Sequence, residues 1–160
     1  MINIYFPYDE DLYTLDELDV IYDYKDILER KIISFAFSYY DISDNNRELS
    51  IRLHKNPIFW KDTPLLGKFS SKDNKPVIDI YSLDCMSTTE SIKVFFHEFT
   101  HYKQWLFKEQ KLKDDYKLNY MDRPWEIEAW KNQELMFEYL TMIYNTTHEG
   151  FDYDKNAERV

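Results

Sequence analysis

The chain has 160 residues, enough for one domain with a substantial core and short for two. Its 44% hydrophobic and 18% aromatic content argues against disorder, and a net charge of −10 without a dense Lys/Arg cluster disfavours nucleic acid as a partner. Only two glycines occur, with no Gly-rich phosphate loop, and the single cysteine, Cys85, allows no intramolecular disulfide.

The N-terminal segment turns acidic by Asp9 to Asp11, before a signal-peptide apolar region could develop. No apolar run approaches the ~20 residues that span a bilayer, so a cytoplasmic protein without a membrane partner is expected. Ile2 to Phe6 reads as a first strand, ended by Pro7. From about Leu18 to Tyr40 the spacing of Ile21, Tyr24, Ile27/Leu28, Lys31/Ile32, Phe35 and Tyr39 predicts a long amphipathic helix.

Glu48 to His54 alternates apolar and polar residues, as a half-buried strand should. Asn56 to Phe69, broken by Pro57, Pro64 and Gly67, suits an irregular hairpin or loop. Val77 to Tyr81 is another strand candidate. Ser87-Thr88-Thr89-Glu90 fits a capping box for a helix running to about Glu109. Pro124 opens a last helix to about Tyr144, and residues 145–160 read as a flexible tail. The whole chain, 1–160, is expected to form a single domain.

The chemistry lies in His97-Glu98-Phe99-Thr100-His101, an H-E-x-x-H pattern inside the third-quarter helix. Residues four apart share a helix face, so two imidazoles can bind one zinc ion while Glu98 handles protons on a metal-bound water. On a helical wheel the histidines fall with Glu90, Gln104 and Lys108, opposite Ile92, Phe95, Phe99, Tyr102 and Leu106. An open, cleft-facing site is therefore expected. The plain alternative is a solvated polar face.

A third ligand is needed. Cys85 lies about 18 Å from His97 along a helix at 1.5 Å per residue, too far without a chain reversal. Position 104 is Gln, so the longer H-E-x-x-H-x-x-G-x-x-H form is absent. The remaining source is Arg123-Pro124-Trp125-Glu126-Ile127-Glu128-Ala129, where Glu128 is preferred because Ala129 beside it permits close helix approach. Glu126 stays open as the ligand, as a partner of Arg123, or as a group orienting a histidine. Acids in a first helical turn also serve simply as dipole partners.

At these residues the chain resembles the zincins, specifically the gluzincins, and is similar to small intracellular metallopeptidases of the ImmA/IrrE type and related phage-encoded peptidases. The resemblance spans roughly residues 76–140. It implies that His97, His101 and Glu128 bind Zn2+, that Glu98 is the general base, and that Val77 to Tyr81 is the edge strand receiving substrate. The family's oxyanion-stabilising residue has only Tyr116, Tyr120 and His148 as candidates.

Elements and resemblance together give the expected fold. It is α+β, a minimal zincin-like domain with a long N-terminal helix, a small mostly antiparallel sheet, the motif helix and a C-terminal helix carrying the third ligand. The expected function is a zinc metallo-endopeptidase acting on a protein or peptide substrate. The alternatives are a non-catalytic binding or virion-associated protein with structural zinc, and an amidohydrolase acting on a non-peptide amide.

Overall fold

The computed structural model describes residues 1–146 except 9, 11, 12, 44–46, 56, 57, 82, 84, 85 and 110. Cys85, His148 and the part of the expected tail beyond 146 lie outside the described residues. Strand β1 spans Ile2–Tyr5. Thr14 then caps α1 (Leu15–Ile27), its hydroxyl accepting from the Glu17 amide at 3.3 Å while the Glu17 carboxylate accepts from the Thr14 amide at 3.3 Å. The helix starts earlier than the expected Leu18, because a reciprocal cap is built from polar residues that carry no apolar period. A wide π turn, Leu28–Ile32, joins α1 to α2 (Ile33–Tyr39).

Strand β2 (Leu49–Leu53) follows, then a hairpin of β3 (Ile58–Trp60) and β4 (Thr63–Leu65). Its two-residue turn puts Lys61 and Asp62 at φ 47° and 64°, the left-handed pair that matches strand twist. Strand β5 (Gly67–Ser70) and strand β6 (Val77–Ile80) complete the strands. The sheet order is β1-β2-β6-β5; β1, β2 and β6 run parallel and β5 runs antiparallel to β6.

This corrects two expectations. The four-stranded sheet is mostly parallel, not mostly antiparallel, because the α1–α2 crossover between β1 and β2 returns the chain in the same direction. The expected edge strand, Val77 to Tyr81, is instead interior, and β5 holds the edge.

Leu49, Ile51, Leu53, Ile78 and Ile80 turn one sheet face towards α3 (Thr88–Leu106) and are fully buried against Ile92, Phe95, Phe96 and Phe99. Helix α4 (Pro124–Thr146) packs along the other side of α3. No described helix is long and apolar enough to cross a membrane.

Alternation sends Arg52 and Asp79 to the opposite sheet face, where His54 joins them at the strand end. Arg52 donates to both Asp79 oxygens at 2.7 and 2.8 Å, and His54 Nε2 lies 2.6 Å from Oδ1. Burial pushes the Asp79 carboxyl up, but His54 and Arg52 outweigh it and hold the carboxyl below its ordinary value. Such a group stabilises the fold above its unfolded pKa of about 3.9, and that contribution is lost as pH falls through the folded value. Asp79→Ala is expected to cost about 3 kcal/mol near neutral pH, the low end for a broken buried pair, since Arg52 keeps some water. Denaturant unfolding should show the loss shrinking towards pH ~3.

Candidate metal centre

Helix α3 begins at a capping box in which Ser87 accepts from the Glu90 amide at 3.1 Å and Glu90 accepts from the Ser87 amide at 3.2 Å. From that start the 3.6-residue turn brings His97 and His101 to one side, facing α4. Their rings meet edge to face at 4.9 Å, and the His97 ring packs on Trp130 at 4.7 Å. Neither histidine faces solvent: His97, Glu98 and His101 are all buried. The expected open polar face is covered, because α4 lies over the side of α3 that the sheet does not touch.

The carboxylate that meets them is Glu126, not the preferred Glu128. Glu126 Oε2 lies 3.2 Å from His97 Nε2 and 3.3 Å from His101 Nε2, and the two Nε2 atoms are 3.2 Å apart. His97, His101 and Glu126 thus form a buried group that could hold a metal ion. The buried stripe of α4 runs Glu126, Ala129, Gln133, Met136, Leu140, in steps of three and four. Ala129 does permit close approach, but the residue one turn before it is Glu126. Glu128 lies about 200° further round the helix from Glu126.

Glu128 has a different engagement. Its carboxylate accepts from Lys103 at 2.7 Å and from Gln104 Nε2 at 3.3 Å. Gln104 Nε2 also donates to the Trp125 carbonyl at 2.9 Å, which leaves Gln104 Oε1 to accept from His101 Nδ1 at 2.9 Å. The proton of His101 is thereby committed to Nδ1, and Nε2 presents a lone pair to the Glu126 oxygen. A lone pair facing a carboxylate is repulsive unless positive charge sits between them. Burial disfavours a charged His101, but Glu126 beside it wins and raises its pKa. Burial likewise pushes Glu126 up, yet the two imidazoles and a hydrogen bond donated by Tyr120 bring it to about 2. The arrangement favours positive charge between these groups, and a metal ion is one that it could hold.

Glu98 stands outside this triangle. Burial pushes its carboxyl up, and the Phe69 backbone N–H of β5 donates to it. The approach of β5 is possible because position 67 has no side chain. A Cβ there would stand 2.7 Å from Val94 Cγ1 and 2.8 Å from both Cγ and Oε1 of Glu98. Gly67→Ala must therefore push the edge strand or the Glu98 carboxylate aside, and is expected to cost about 1–3 kcal/mol in stability. Thermal unfolding together with metal content checks this: the metal group, which lies off this contact, should be unaffected.

Of the sequence candidates for a hydrogen-bond donor, Tyr120 is brought to the site and Tyr116 packs on Trp125 at 4.9 Å. Gln104, noted above only because it breaks the longer motif, is the orienting residue that the sequence reading missed. Its sign was a polar amide three residues after a ligand histidine, on the same face. No protein-family model, no curated protein and no solved structure matches this chain.

Proposed function

We propose that this protein is a zinc-dependent metallo-endopeptidase of the zincin type. The observation that carries the reading is the triangle of Nε2, Nε2 and Oε2 at 3.2, 3.2 and 3.3 Å. Ligands about 2.0–2.1 Å from a tetrahedral zinc ion stand about 3.3 Å apart, so the three atoms fit one face of its coordination shell. Among the described residues the group has three ligands, the number that leaves a catalytic zinc one position for water or substrate.

Zinc bound there supplies Lewis-acid polarisation of a water molecule and of the substrate carbonyl. Glu98 accepts the proton of the attacking water and returns it to the departing amine; its raised affinity for protons suits that exchange. Gln104 fixes the His101 ring, and the Tyr120 hydroxyl, which donates to Glu126, holds that carboxylate in place beside the two imidazoles. The outer side of β5, apart from the Phe69 N–H that Glu98 takes, would offer backbone groups to an extended peptide lying near Glu98.

The test is a peptide library incubated with the zinc-loaded and the chelated protein and read by mass spectrometry. Bond cleavage that disappears with zinc removal and returns with zinc supports the reading. Stoichiometric zinc without any cleaved bond assigns the centre to the non-catalytic alternative.

A further inference from the structure

A cavity of about 590 Å³ opens beside the metal centre and shares His101 and Gln104 with it. Phe69 of the edge strand and Trp105 of α3 form apolar walls. Its charged lining is Lys108, Glu109 and Lys111. Glu109 is already neutralised, because Lys103 reaches it at 2.6 Å. Among the described residues neither Lys108 nor Lys111 makes an ion pair. In a chain of net charge −10, two uncompensated cations in one concavity are a local reversal of sign.

Lys108 follows the C-terminus of α3 at φ 52°, where a cation offsets the helix dipole, so that residue alone has a sufficient structural explanation. Lys111 does not. Its ammonium sits 5.2 Å from the Trp125 ring centroid, and the Arg123 guanidinium lies 6.0 Å from the same ring. Glu126, whose charge acts on Lys111, is committed to the two histidines. Lys111 is exposed at the cavity, and its partial burial outweighs the attraction of Glu126 and lowers its pKa. Two lysines without an ion-pair partner among the described residues, lining a cavity beside the metal centre whose walls include Phe69 and Trp105, match an anionic group joined to an apolar body.

We infer that this cavity is a substrate subsite for a carboxylate, read by Lys111 and Lys108, on the His101 side of the cleaved bond. The inference rests on the peptidase reading above and adds the substrate class: a peptide with a carboxylate next to the scissile amide. In an endopeptidase that carboxylate is an acidic side chain; a chain terminus bound there instead would make the protein a carboxypeptidase, and the experiment distinguishes the two.

The experiment uses the full-length, zinc-loaded Glu98→Gln variant, so that probes bind without being consumed, and reads affinity by protein NMR titration. The probes are N-acetyl-Ala-Phe with a free carboxylate, its C-terminal amide, and N-acetyl-Ala-Asp amide. At least one carboxylated probe is expected to bind about tenfold tighter than N-acetyl-Ala-Phe amide. Preference for the first probe assigns the terminus, and preference for the third assigns the side chain. Adding Lys108→Met and Lys111→Met should erase the preference while zinc content and affinity for the amide stay unchanged. Equal binding of all three probes, no binding of any, or a preference that survives removal of both lysines overturns the subsite. Zinc content, measured on the same samples, separates that result from failure of the metal centre itself.

Discussion

Glu98→Gln is expected to lower peptide hydrolysis by about 10²–10⁴-fold while leaving the metal content unchanged. Glutamine keeps the shape of the side chain and an oxygen to accept the Phe69 N–H, so the contact between β5 and α3 survives. What disappears is the proton acceptor. Glu98 contributes no atom to the His97, His101 and Glu126 group, so nothing that holds the ion is altered. Turnover rates of zinc-loaded wild type and variant, with zinc measured on each sample, make the comparison. A variant as active as wild type would remove Glu98 from the mechanism.

The second large effect is on stability. Zinc at about a thousandfold its dissociation constant should add about 4 kcal/mol to the folded state, or roughly 10 °C in midpoint for a chain of this size. Glu126→Ala is expected to lose most of that gain, because an imidazole pair alone is a poor cage and the carboxylate oxygen is the third point of the triangle. Glu128→Ala should retain most of it, with a modest weakening from the loosened Gln104 and Lys103. Thermal unfolding with and without added zinc separates the two glutamates. Equal responses in both variants would show that neither carboxylate is distinguished by the ion.

Features that depend on local chemistry were readable from the residues. The capping box at Ser87, the proline opening α4 and the pairing of His97 with His101 are set within one or two helical turns. The alternation of Leu49, Ile51 and Leu53 likewise marks β2, whose inward residues are fully buried.

Features set by distant parts of the chain were not. Strand β5 is four residues long and begins with glycine, which in isolation signals a turn. Its reason for being a strand is β6, and its reason for Gly67 is Glu98 on another element. Burial of the histidines depends on α4 covering α3, which the period of α3 alone does not reveal. The choice between Glu126 and Glu128 was closer to hand. Extending the stripe through Ala129, Gln133, Met136 and Leu140 back by one turn arrives at Glu126, and Glu128 falls off it.

The most direct measurement is the metal content of protein purified without chelators, by elemental analysis, for wild type beside the Glu126→Ala and Glu128→Ala variants. The geometry predicts one zinc ion per chain in wild type and in Glu128→Ala, and far less in Glu126→Ala. Wild-type protein that carries no transition metal and takes up none from added zinc would contradict it.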